Sequence, residues 1–284
     1  MTHIVVFGSV QEEPGARADG SPGGRGARQA VAAARAGAAV SLVGAVGTGA
    51  YGERLRAGLV REGVGVELLR TVPGPSGTAR VAQDRAGSRA VVVPGADAAP
   101  TGTHPADAAL IGTADVLLLS ADTPLPGVAA AARAAGGRGV RTVLAPSPVC
   151  PPPDELLAAT GLLVVDEDGA ASLSGRAEPY RSVRALLELV PEAVVTLGTA
   201  GYLWAVRGGE PTVVPGPEVR VVDAAGADDV FAAALTVAVG EGRPMAPALE
   251  WATAAAALSA GRPGAGASSP YRAEIDARCA AVAS

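Results

Sequence analysis

The 284-residue chain contains no lysine and no asparagine, so all 23 of its basic side chains are arginine. An absence this complete points to a strongly GC-biased genome and weakens any functional argument from one missing Lys or Asn. It does not account for several of them missing from one pocket. Aromatic residues are only 3% of the chain against 49% hydrophobic residues, which leaves Ala, Val and Leu to build the core. Cys150 and Cys279 lie far apart, with no paired spacing for zinc or a redox motif, and read as free, partly buried thiols in a reducing compartment. His3 and His104 have no partner at metal or triad spacing and read as surface residues. The formal net charge of -5 and pI near 5.2 argue against nucleic acid or an anionic membrane as partner. No apolar run approaches a membrane span, and the first, residues 4–7, is too short for a signal peptide. The expected location is the cytoplasm.

What is present alternates regularly. Short apolar runs such as HIVVFG, VSLVGAVG, DVLLLSA, TVLAP, LLVVDE and AVVTLG are separated by Ala-rich helical stretches or by polar and Gly-rich turns. Repeated strand-then-helix units predict an α/β fold with a mainly parallel sheet and helices on both faces, whose ligands sit beyond the carboxyl ends of the strands. Residues 77–94 read instead as a hairpin turning at Ala86-Gly87 and standing off the main sheet, and residues 11–26 as a flexible loop rich in Gly, Pro and charge. With no internal repeat or long linker, residues 1–284 are expected to form one domain.

The most informative stretch is residues 219–235, VRVVDAAGADDVFAAAL. It reads as an apolar strand, a small-residue turn with two adjacent carboxylates, and an Ala-rich helix. Small residues let main-chain N–H groups approach an anion, and the helix start adds the positive end of its dipole. Asp229 at the mouth of that helix could take a proton from a hydroxyl while the N–H groups of Gly226, Ala227 and Asp228 hold a phosphoryl group. A helix-capping role for Asp229 is the structural alternative.

DAAGADDVF resembles the D-T-x-G-A-G-D-x-F signature of the ribokinase, or phosphofructokinase-B-type, family of carbohydrate kinases, with Asp223, Gly226, Ala227, Asp229 and Phe231 in register. GGRGARQAVAAARAGAAVSLVGAVG at residues 23–47 is similar to that family's GGKGANQAVAAARLGA signature, TLGTAG at 196–201 to its T-L-G-x-x-G turn, and SAGRPGAGASSP at 259–270 to its nucleotide-side loop. The resemblance implies a ribokinase-like fold, ATP and Mg²⁺ as cofactors, and K⁺ as a further candidate beside Asp223. It also implies Asp229 as general base, Thr196, Gly198 and Gly201 near the nucleotide, and Glu13, Gly23, Gly24 and Arg28 on the sugar side. Asp166, within Asp166-Glu167-Asp168-Gly169, stands in the motif that organises water around Mg²⁺, with an acidic helix start as the alternative.

Several positions depart from the family's pattern. Asp228 replaces the Gly before the base, Gly49 an Asp, Gly169 a Glu, Arg28 a sugar-contacting Asn, and Gln11 and Glu13 an Asn and Asp. A guanidinium has five donors and no acceptor, so Arg28 cannot reproduce an amide contact but could bind an anionic substrate; a solvated helix side chain is its other reading. Only residues 10–22 stand where two further lid strands are usual, so the lid is expected to be halved, with a remnant at 77–94, and the usual lid-mediated homodimer is in question. The function these residues imply is an ATP-dependent kinase acting on a hydroxyl of a sugar, nucleoside or related small molecule. The alternative is a catalytically impaired kinase-fold protein that binds a ligand or partner.

Overall fold

The computed structural model describes residues 1–11, 22–77, 80–83, 89–92, 103–146 and 151–283. Its first half runs β1 (His3–Phe7), α1 (Arg25–Arg35), β2 (Ala39–Gly47), α2 (Ala50–Arg61), β3 (Val64–Gly65), β4 (Leu69–Val72), β5 (Arg80–Gln83), β6 (Arg89–Val92), α3 (Pro105–Ile111), β7 (Val116–Ser120) and α4 (Leu125–Gly136). The second half runs β8 (Arg141–Ala145), α5 (Asp154–Ala158), β9 (Leu162–Asp166), α6 (Glu167–Ser174), α7 (Pro179–Leu186), β10 (Glu192–Thr196), β11 (Gly201–Val206), β12 (Thr212–Pro215), α8 (Ala227–Gly240), α9 (Met245–Ala260) and α10 (Arg272–Ala283).

The main sheet has the order β12-β11-β10-β9-β8-β7-β1-β2-β3, with β4 also paired to β2. From β3 to β10 every pairing is parallel, and β11 and β12 add antiparallel at the β10 edge. Successive side chains of a strand face opposite sides of a sheet, and here both sides are covered. Ile4 and Val6 of β1 pack with α1, α2, α8, α9 and α10, whereas Val5 and Phe7 pack with α3, α4, α5 and α7. Two buried faces explain why the strands read as unbroken apolar runs. The helices α1, α8 and α9 carry many buried alanines, short side chains that let their backbones approach closely, and α8 packs against both of the others.

One predicted strand is not a strand. Residues 219–222 have the spelling for it, but the edge of β10 is already paired with β11, and Val221 and Val222 are exposed. Their backbone is tied to the end of α9 instead, with Val222 N–H donating to Ala260 O at 2.8 Å and Asp223 N–H to the same oxygen at 3.1 Å.

The hairpin is present as a separate two-stranded antiparallel sheet, β5 with β6, in register from Arg80↔Val92 to Gln83↔Arg89. Its predicted turn at Ala86-Gly87 lies outside the described residues. Gln11 and Gly23 form an antiparallel bridge, and the rest of the shortened loop, residues 12–21, lies outside the description. His104 is exposed ahead of α3, but His3 is half-buried in β1 with Nε2 3.2 Å from Ser41 Oγ, because Ser41 lies on the adjacent strand β2. Cys279 is a free, half-buried thiol in α10, and burial pushes its pKa up; Cys150 lies outside the described residues. Among the described residues no helix is long and apolar enough to cross a membrane.

Candidate active site

The turn before α8 is the centre of the site. Gly226 caps the helix with φ +82°, a left-handed conformation that glycine alone adopts freely, and a Cβ there would stand 2.5 Å from Ala265 O. The turn therefore packs directly against the loop after α9. Asp223 fastens the two, since its Oδ1 accepts from Ala225 N–H and its Oδ2 from Gly264 N–H, both at 3.0 Å. The first N–H groups of a helix lack partners within it. At Ala227, however, the N–H donates to Ala224 O at 3.2 Å, so this predicted anion donor also closes the turn.

Asp229 lies in the first turn of α8 and is buried, with 3% of its surface accessible. It faces α1. Arg28 Nε lies 2.8 Å from Oδ2, Arg25 Nε 3.1 Å from Oδ1, and Gln29 Nε2 donates to Oδ1 at 3.1 Å. Burial by itself raises the carboxyl pKa, but the charges of Arg25 and Arg28, with the bonds from Arg28 and Gln29, outweigh it and hold the group below the ordinary carboxylate range. Asp229 is thus an anion at neutral pH. Its side chain does not simply cap its own helix.

Asp228 turns the other way. It lines a pocket beyond the ends of β8, β9 and β10 together with Arg25, Asp166, Gly169 and Thr196, and its Oδ1 accepts from Thr196 Oγ1 at 3.3 Å. The residue is exposed and lines this hollow. Crowding by protein, followed by the like charges of Asp229 and Asp166, pushes its carboxyl above the ordinary range, with Arg25 and the Thr196 bond offsetting part of the rise. Asp166 caps α6 by accepting from Gly169 N–H at 2.7 Å, and a Cβ at Gly169 would come 2.9 Å from Asp166 Oδ1. Capping and lining the pocket are compatible roles.

The other predicted positions are placed as follows. Gly198 begins a short 3₁₀ turn with φ +56°, and a side chain there would meet open space; Gly201, at φ +110°, is pressed against Val214 and Gly216, so β12 already requires it to be glycine. Gly23 pairs with Gln11, and Gly24 caps α1 at φ +89°, where a Cβ would stand 2.8 Å from Ser9 Oγ. Gly49 caps α2 with nothing near its Cβ position. Glu13 lies outside the described residues.

Two groups of site residues escaped the sequence reading. Gln29 is fully buried against Asp229, and the signal was in the spacing: Arg25, Arg28 and Gln29, at i, i+3 and i+4, share one helix face. Asp122, just past the end of β7, takes hydrogen bonds from Ser120 Oγ at 2.6 Å and from Ser9 Oγ, close beside Gly24. It is the first carboxylate beyond the fully buried parallel strand β7, the position where such sheets place ligands. Gly8 and Gly26 allow α1 to begin against the end of β1, for a Cβ on Gly26 would stand 2.5 Å from the Gly8 carbonyl carbon.

A mainly parallel α/β sheet with a glycine-capped helix start and an ionised, buried carboxylate beyond its strand ends fits the class of small-molecule phosphotransferases. The sequence pattern of the pfkB family of carbohydrate kinases matches residues 1–272. The ribokinase of Schizosaccharomyces pombe is 30% identical over 284 residues, spanning 94% of this chain and 89% of that one, and the ribokinase of Bacillus subtilis is 33% identical over 258 residues, spanning 90% and 86%. Among solved structures, Arabidopsis thaliana ribokinase complexed with ribose and ATP is similar with a TM-score of 0.87 at 27% identity, covering 98% of this chain and 99% of that one. Thermotoga maritima ribokinase gives a TM-score of 0.84 at 26% identity, covering 98% and 99%. The chain belongs to the pfkB family of carbohydrate kinases, as the resemblance in its motifs implied, and it is an enzyme of the kind that transfers a phosphoryl group to an alcohol.

Proposed function

We propose that this chain transfers the γ-phosphoryl group of ATP to a hydroxyl of a sugar, nucleoside or related small molecule. The observation that carries the reading is the ionised Asp229, buried in the first turn of α8 beside the Gly-Gly turn that opens α1. The acceptor hydroxyl gives its proton to Asp229 as its oxygen bonds to the γ-phosphorus and the bond from that phosphorus to the ADP oxygen breaks. First-turn N–H groups of α8 stabilise the charge on the moving phosphoryl group. Gly23, Gly24 and Arg28 border the acceptor, together with Asp122, while Thr196 and Gly198 border the nucleotide.

Mg²⁺ asks for oxygen donors in near-octahedral array and usually keeps several waters. The Asp228 and Asp166 carboxylates and the Thr196 hydroxyl line one pocket and fit that requirement. When bound there with nucleotide, the ion neutralises phosphate charge that Asp228 alone would oppose. Asp223 acts differently. Its oxygens hold two loops together, and a K⁺ at that place would rely on main-chain carbonyls of those loops.

The test is Mg²⁺-dependent ADP formation from ATP across pentoses, hexoses, their acid and phosphate derivatives, and nucleosides, with Asp229→Asn as control. The proposal expects at least one acceptor to give ADP well above that control. If none does while nucleotide still binds, the protein is a kinase-fold binding protein and the proposal fails.

A further inference from the structure

Two guanidiniums converge on the base. Arg25 approaches Asp229 at 3.1 Å and Arg28 at 2.8 Å. The two guanidiniums are not equivalent. Arg25 also lines the pocket that contains Asp166, Asp228 and Thr196, on the nucleotide side, and Arg28 is not among the residues lining it. Arg28 belongs to the acceptor side. It lies one turn into α1, with its N–H donating to Gly24 O at 2.9 Å, and its stem passes the loop after α9, where a Cβ on Gly266 would stand 4.0 Å from Arg28 Cγ.

That position has a chemical consequence. Oδ2 of Asp229, the oxygen not shared by Arg25 and Gln29, is the one that Arg28 Nε holds. A neutral hydroxyl approaching Oδ2 must displace an ion pair, exchanging a bond charged at both ends for one charged at the carboxylate alone. An acceptor with its own carboxylate or phosphate presents the guanidinium with an equivalent partner, and guanidinium matches either anion in a bidentate fork. We propose, resting on the kinase reading above, that the phosphoryl acceptor is an acidic sugar derivative, and that its anionic group draws Arg28 away from Asp229 and so frees the base. Binding of the correct acceptor and activation of the base are then one event. Acceptors without the charge leave Asp229 closed off.

The experiment compares kcat/KM for ADP release at saturating MgATP with matched acceptors: D-fructose against D-fructose 6-phosphate, and D-glucose against D-gluconate. Wild type is expected to favour the acid member of at least one pair by about 100-fold, the size of one charge-assisted hydrogen bond in a partly buried site. Arg28→Asn is expected to erase or reverse that preference mainly through KM, and Arg28→Lys, which keeps the charge, to retain part of it. Equal activity with both members of each pair, a wild-type preference for the neutral members, or the same loss for all acceptors in Arg28→Asn overturns the proposal. A raised KM for ATP with unchanged acceptor preference also overturns it, and assigns Arg28 to the nucleotide phosphates. Calorimetric titration of wild type and Arg28→Asn with D-fructose 6-phosphate and D-gluconate separates this from failure of the kinase reading. If nothing is turned over but an acid sugar binds wild type and not the variant, the kinase reading fails and the acid site stands. If neither acid binds, the acid site falls with no reference to turnover.

Discussion

Replacing Asp229 by Asn deletes one charge and almost no volume, so its consequences test the electrostatic description of the site directly. At the observed 2.8 and 3.1 Å, Coulomb's law gives roughly 5–6 kcal/mol per pair at an effective dielectric of about 20, and about 1.5 kcal/mol in bulk water. The Asp229 side chain is 5% exposed whereas those of Arg25 and Arg28 are 21% and 17% exposed, so the cations keep some access to water that the carboxylate lacks. Part of the attraction is cancelled by the desolvation of Asp229, and breaking the cluster is expected to cost about 2–4 kcal/mol net. In a chain of this size that corresponds to a Tm lower by about 3–7 °C. The pH dependence has a definite sign. A folded pKa below the unfolded one means that the contribution is complete above the unfolded value, near 4, and is lost as pH falls through the folded value. Denaturant unfolding at a series of pH values should therefore show a constant gap between wild type and Asp229→Asn through neutrality, closing below about pH 4. Adding Arg28→Gln to Asp229→Asn should cost less than the two single changes summed, because the two side chains interact directly. An Asn variant as stable as wild type at pH 7, or a gap that widens toward acid, would refute the reasoning.

Three further outcomes follow from the same geometry. Asp228→Asn removes a carboxyl whose pKa the fold raises, so the wild-type group opposes folding once pH rises from the unfolded value through the folded one; the variant should be more stable at pH 7, equal below about pH 4, and should need more Mg²⁺ for half-maximal activity. Gln29→Leu deletes a donor to Asp229 but also a buried Oε1 without a partner, so stability measured in urea should change by less than about 1 kcal/mol while the acid limb of the kcat/KM profile moves to higher pH. Gly201→Ala drives a methyl into Val214 and Gly216 at a left-handed φ, and should cost about 3 kcal/mol or more with earlier hydrogen exchange in β12 and β11.

The sheet was legible because its strands are apolar on both faces and its helices are long runs of Ala between turns, a pattern that local sequence carries unaided. Residues 219–222 show the limit of that approach. Four residues of strand-like composition become a strand only where an edge is open, and which edge is open depends on where β11 folds back, a long-range fact. The position of Asp229 at a helix mouth was also legible, since Gly-Ala-Asp-Asp before an Ala-rich run is a local signal. Which way the two adjacent carboxylates point was not. That depends on Arg25, Arg28 and Gln29, some two hundred residues earlier, and on Asp166 and Thr196, which belong to two other strand ends. Asp122 was hidden for a similar reason, because its partner Ser9 comes from the neighbouring strand's loop.

Arg25 reaches across the middle of this arrangement, ion-paired to Asp229 on one side and standing in the hollow with Asp228 on the other. A polyanion arriving in the hollow competes for the same cation that quiets the acid on the far side. The affinities of nucleotide and acceptor are then linked through one side chain, each altering the other by an equal factor. Equilibrium titration of one ligand in the presence of the other should show that factor, and replacing Arg25 should abolish it.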